Sequence, residues 1–172
     1  MKKVSGAIKD FALVRDEGSR IVVCYGYTAV DEKNATWYEI YFYTKKGKPS
    51  FEQVKQAIIK DINGRTDEKI LSGFVWNDTM VWLNRENQFN YKAAYDLAIQ
   101  TQGASLPVTF KFGTDAEPVY HTFGQMEEFT DFYTRAIGYI NATLAEGWQK
   151  KDSFDFSVYE PFFPHPETPV AE

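Results

Sequence analysis

The sequence predicts an α+β protein: antiparallel β hairpins packed against about three helices, with an extended, proline-rich C-terminal tail. Three observations carry that prediction. Short runs rich in β-branched and aromatic residues recur between turn signals, as hairpins require. Three stretches place apolar residues at intervals of three and four, the helical spacing. Finally, Pro161, Pro164, Pro166 and Pro169 crowd the end of the chain, where their missing backbone donors exclude a sustained helix or central strand. At 172 residues the chain has room for one domain. The expected division is a single domain over 1–157, made of N-terminal strands plus a helix (1–65) and a second module (66–157), followed by the tail at 158–172.

The elements follow in order. Residues 9–16 and 20–27 are β-rich around Glu17-Gly18-Ser19, which predicts a hairpin. Residues 36–44 make a third strand. Tyr38, Ile40 and Phe42 share one of its faces, the expected core face; Trp37, Glu39, Tyr41 and Tyr43 share the other. Ser50 and Gln53 have capping-box spacing, so a helix starts there and carries Phe51, Val54, Ile58 and Ile62, with Gly64 as its expected cap. Residues 66–72 are ambiguous. A hairpin over 73–84 turns at Asn77-Asp78 and sets Trp76 and Trp82 in opposite arms.

A helix over 85–102, capped by Asn84, is expected to turn Phe89, Ala93, Ala94 and Leu97 inward. Residues 106–112 and 119–123 form a further hairpin. The last helix spans about 125–146, with Thr122 and Gln125 as a second capping box. Its expected core stripe is Met126, Phe129, Tyr133, Ile137, Ile140 and Leu144, with Gly147 as cap and Trp148 folded back over the last turn.

Composition narrows the function classes. The net charge is −5, which argues against electrostatic binding of nucleic acid or an anionic membrane. A single cysteine, Cys24, excludes an internal disulfide framework or a cysteine-based zinc cluster. It lies mid-strand among valines, where a free thiol behaves as a small buried hydrophobe. The charged start Met1-Lys2-Lys3 is followed by Ser5, Gly6, Lys9 and Asp10, not by the apolar run of a signal peptide. The expected location is a reducing cytoplasm.

Chemistry-bearing residues are few. Only His121 and His165 offer imidazoles. The paired carboxylates Asp67–Glu68, Glu127–Glu128 and Asp152–Asp155 read as solvated acidic faces, and Glu127 and Glu128, adjacent on a helix, do not face each other. No phosphate loop, nucleophile elbow or histidine metal spacing occurs. The expectation is therefore a protein that is not an enzyme and needs no cofactor or metal. The unusual term is aromatic content, 17% of the chain. Trp37, Tyr41 and Tyr43 are the candidates for an interface or a sugar-stacking platform, and Tyr159, Phe162 and Phe163 are candidate anchors of a docking arm.

The run Ile70-Leu71-Ser72-Gly73-Phe74-Val75-Trp76-Asn77, then Val81-Trp82-Leu83 and Glu86-Asn87-Gln88-Phe89-Asn90-Tyr91, resembles a small domain of unknown function common in phage and prophage proteins, often near tail genes. The resemblance extends over about Ile70 to Trp148. It implies a structural or assembly role in a tail, baseplate or head–tail connection, with other virion proteins or further copies of the chain as partners and incorporation into the virion. It carries no catalytic residues. The alternatives are a carbohydrate-binding module using the aromatic strand face and, last, an enzyme of unrecognised type.

Overall fold

In the computed structural model the described residues run from Lys2 to Phe163, the Lys46 side chain excepted; Pro164, His165, Pro166 and Pro169 lie outside them. The architecture is α+β, with antiparallel sheets and three long helices. The chain divides into two compact units. One takes the chain up to Ile62 and again from Ser153; the other is Asn63–Asp152.

The first unit is built on a four-stranded antiparallel sheet in the order β1-β4-β3-β2. Its strands are β1 (Lys2–Ala7), β2 (Val14–Asp16), β3 (Arg20–Ala29) and β4 (Asn34–Tyr43). The expected hairpin is present, its turn fixed by Gly18 at φ +75° and by Asp16 Oδ1 accepting the Gly18 N–H at 2.9 Å. β1 has too little apolar alternation to announce itself; its backbone pairing with β4 makes it a strand. One face of the sheet buries Ile21, Val23, Tyr25 and Ile40 against Val54, Ile58 and Ile62 of helix α1 (Phe51–Ser72). The opposite face buries Val22, Cys24, Ala35 and Trp37.

The chain returns to this core after residue 153. Ser157–Phe162 is a 3₁₀ helix, not extended chain, and it delivers Tyr159 and Phe163 into the cluster of Ile21 and Ile58. The Tyr159 hydroxyl donates to the Cys24 carbonyl at 2.7 Å. A buried tyrosine needs such a partner for its polar end, and this one ties the C-terminal segment to the central strand.

Helix α1 begins on the expected capping box: the Ser50 N–H donates to Gln53 Oε1 at 2.8 Å, and the Gln53 N–H donates to Ser50 Oγ at 3.3 Å. It does not stop at Gly64 but continues to Ser72. Tertiary packing outweighs the glycine here, because Ile70 is buried in the second unit's core and the Lys69 ammonium reaches Glu146 at 2.6 Å.

The second unit holds two hairpins and two helices: β5 (Phe74–Trp76), β6 (Thr79–Val81), α2 (Arg85–Gln100), β7 (Val108–Gly113), β8 (Pro118–Phe123) and α3 (Met126–Asp152). Trp76 pairs with Thr79, while Trp82 lies beyond β6 and donates its indole N–H to the Gly113 carbonyl at 2.8 Å. The two tryptophans therefore do not meet as a cross-strand pair. Trp76, Tyr91, Phe112, Phe123, Phe129 and Phe132 form the centre of an aromatic core, most of them edge-on or tilted to each other.

The stripe of α2 is rotated from the expected one; that of α3 packs on the core as expected at Met126, Phe129, Tyr133, Ile140 and Leu144, and is wider than expected. On α2 the inward residues are Tyr91, Ala94, Tyr95 and Ala98; Phe89, Ala93 and Leu97 face outward. On α3 the buried residues are Phe129, Phe132, Ala136, Thr143 and Gly147, so Ile137 lies at the margin, 38% exposed. Thr122 belongs to β8, where its hydroxyl sits 2.8 Å from that of Thr109, and α3 starts only at Met126. Gly147 is interior to α3, not its cap, and Trp148 is exposed.

Candidate functional site

The six aromatic candidates do not form one surface. Trp37, Tyr159 and Phe163 are buried in the first unit, where a ring has no open face to offer a ligand. Tyr41 is half-buried; Tyr43 is 65% exposed, and Phe162 is also exposed. Tyr41 and Tyr43 share a cavity of about 350 Å³ with Gly47, Lys48 and Pro49. The Arg20 guanidinium covers one face of the Tyr41 ring, 4.7 Å from its centroid.

Beside that cavity lies a polar network that alternation along the strands placed on one face. Glu39 is buried on β4 with only 6% of its surface exposed. Its Oε1 accepts from Arg15 at 2.7 Å and from the Trp37 indole at 3.2 Å, and its Oε2 accepts from the Tyr41 hydroxyl at 2.7 Å. Burial pushes this carboxyl up, but Arg15, Tyr41 and Trp37 together reverse that and hold it below the usual range. A carboxylate with three donors on it is engaged in holding strands together and is a poor proton acceptor for a substrate.

Cys24 belongs to the same network. The Arg15 guanidinium donates to its Sγ at 3.3 Å, yet burial pushes the thiol up to about 11. At neutral pH it stays a thiol and an inert one.

In the second unit His121 Nε2 lies 3.0 Å from Glu128 Oε1, and the imidazole packs edge-on against Trp76. The Trp76 indole donates to Asp131 at 3.1 Å, and Asp131 also accepts from Arg135 at 2.8 Å. These contacts pin the aromatic core to α3. Among the described residues no three His, Cys, Asp or Glu side chains gather where they would hold a metal ion.

The feature that sequence reasoning assigned to the wrong side is the outer face of α2. Phe89 is 71% exposed and Leu97 50%, with exposed Ala93 between them, so positions i, i+4 and i+8 form one apolar ridge. Lys92 and Asp96 flank it, paired at 2.5 Å. The signal that separates the two faces is in the sequence. Tyr91, Ala94, Tyr95 and Ala98 repeat at i, i+3, i+4 and i+7, the fuller core pattern, and two of them are rings.

A family model described as a domain of unknown function, DUF4376, matches residues 53–161. The chain belongs to that family. The DUF4376 match takes in most of α1, both hairpins, α2, α3 and most of the 3₁₀ segment that carries Tyr159. The four-stranded sheet precedes it. The run from Ile70 to Trp148 lies wholly inside the matched region. No curated protein and no solved structure matches the chain. Among the described residues no helix is long and apolar enough to cross a membrane.

Proposed function

We propose that this protein is a phage- or prophage-derived structural component, of a tail, baseplate or head–tail connection, that works by protein–protein contact without turnover or cofactor. The single observation that carries the contact half of this reading is the exposed ridge Phe89–Ala93–Leu97 on α2. Large apolar side chains in a row on a helix are unfavourable in water and mark a surface meant to be covered. The phage half rests on the resemblance of the run from Ile70 to Tyr91 to domains found near tail genes. In this reading the chain is made in the host cytoplasm and ends in the virion.

The test is composition of the particle. Particles induced from a lysogen carrying the gene, purified on a density gradient and digested, should yield peptides of this chain in fixed ratio to a tail protein. Absence from both finished particles and assembly intermediates would overturn the proposal.

A second reading, a carbohydrate-binding module, is favoured by one observation: Tyr41 and Tyr43 both line the cavity of about 350 Å³. Tyrosine rings at the mouth of a cavity suit sugar stacking. Retardation of the protein in polysaccharide-loaded gels, abolished by Tyr43→Ala, would support it; equal mobility of both proteins would remove it.

A further inference from the structure

We infer that the occupant of the α2 ridge is the same ridge on a second copy of this chain, in a two-fold antiparallel crossing centred on Ala93. The inference rests on the contact half of the proposed function and names its partner. The first argument is shape. Residues at i, i+4 and i+8 form one of the ridges by which helices pack, and two such ridges interdigitate with the axes crossed at about 50°. Ala93 stands at the midpoint of the ridge, where the two backbones come closest and a small side chain is needed. Phe89 lies four residues before Ala93 and Leu97 four after it. An antiparallel partner therefore sets its Leu97 beside Phe89, and the two-fold axis repeats that contact at the other end.

The second argument is charge. Lys92 is one residue before Ala93 and Asp96 three after it, both on the same flank of the ridge. Rotation about the two-fold axis keeps them on that flank. It brings the second copy's Asp96 to within about 3 Å of Lys92 along the helix axis, at 1.5 Å per residue. The intrahelical pair Lys92–Asp96, 2.5 Å long, then becomes one half of a four-charge cluster repeated by symmetry. A parallel pairing, with its two-fold axis along the helices, would instead exchange the flanks and leave Lys92 and Asp96 on the far side of the seam from their copies, with no such cluster. The charges thus select the antiparallel arrangement, and with it a closed dimer and not an open chain. A crossing of two helices alone is small against the about 1,600 Å² of a standard interface, so association is concentration-dependent.

Sedimentation equilibrium of the full chain over a wide concentration range reads this directly. The expected result is a reversible monomer–dimer equilibrium, weakened at least tenfold by Phe89→Ser and by Leu97→Ser, with unchanged circular dichroism. Lys92→Glu should weaken it as well, and Lys92→Glu with Asp96→Lys should restore it. Because residue 93 faces itself across the axis, Ala93→Cys should form a covalent dimer under mild oxidation far faster than Asp115→Cys, a control on an exposed turn. A monomer at every concentration, or a dimer indifferent to both Ser variants, would overturn the inference. If such a monomer is nonetheless found in particles, the inference fails and the assembly reading stands. If the ridge-dependent dimer forms but the chain is absent from particles, the inference stands and the assembly reading fails.

Discussion

At the scale of single residues, Glu39 shows how burial and hydrogen bonding divide the control of a charge. Its folded-state pKa lies below the unfolded value of about 4.3, so the stabilisation it brings is fully present above that pH. It is lost as pH falls through the lower, folded value. Glu39→Gln should therefore lower stability at pH 7 by about 1.5–3 kcal/mol, the worth of hydrogen bonds to a charged group. Amide exchange in β3 and β4 checks this, and should show the variant less sensitive to acid below pH 5 than the parent. Glu146, drawn down to about 2 by Lys150 and Lys69, belongs to the other unit and does not enter that readout. Two glycines give an opposite pair of outcomes. A Cβ on Gly138 meets open space inside α3, so Gly138→Ala should stabilise by about 0.5–1 kcal/mol through helix propensity. A Cβ on Gly147 would lie 2.5 Å from Thr66 Oγ1 and 3.2 Å from its Cβ, too close for a rotamer change to relieve. Gly147→Ala should lower the urea midpoint despite the same propensity gain. Cys24 and the capping residues Ser50 and Asn84 were legible in the sequence, because each rests on local chemistry. The Arg15–Glu39–Tyr41 network was not, because it needs the register of β3 on β4 and of β2 on β3.

At the scale of elements, existence and type read more easily than facing. The hairpins at Gly18 and at Asn77-Asp78 stand where the turn residues put them, the latter two with φ of +46° and +60°. The helices are also where periodicity places them, yet α2 presents a different face and α3 a wider one. In α3 the expected stripe packs on the core, with Phe129 buried and Met126, Tyr133, Ile140 and Leu144 partly buried, and only Ile137 falls at its margin. The face is wider than the expected stripe because it also takes in Phe132, whose ring packs on Phe74, Trp76, Tyr91 and Phe112. Phe132→Ala should accordingly cost about 3–5 kcal/mol, a large ring deleted from a full core. Ile137→Ala, at a 38% exposed site, should cost under about 1.5 kcal/mol. Equal losses for the two variants in urea melts would return Ile137 to the core. On α2 the face itself is turned, and the apolar residues displaced from the core became the exposed ridge.

At the scale of the whole molecule, the chain order and the core order differ. The buried cluster of Ile70, Trp76, Phe112, Phe129 and Phe132 draws every member from 63–152. The cluster of Ile21, Val23 and Ile58 draws on the first 62 residues and also on Phe154, Phe156, Tyr159 and Phe163, about ninety residues later. No sequence periodicity announces that closure, because a contact so distant in the chain leaves no local spacing to read. The 3₁₀ segment with its proline reads as the start of a tail until the buried Tyr159 is seen to donate its hydroxyl to the Cys24 carbonyl. Each unit should then respond differently to being cut out. A fragment of residues 63–152 keeps its complete aromatic core, loses only the first half of α1, and should melt cooperatively with helical circular dichroism. A fragment of residues 1–62 keeps the sheet face around Cys24 and Trp37 but leaves Ile21, Val23 and Ile58 without the two buried rings that cover them. Each of those rings is able to bury about 150–250 Å², an amount that a domain of sixty residues cannot spare. It should not fold alone, and a synthetic peptide of residues 153–163 added in excess should restore amide protection to β3. Cooperative melting of 1–62 without the peptide would show that the sheet and the first half of α1 suffice, and that Tyr159 and Phe163 are seated on a core already complete.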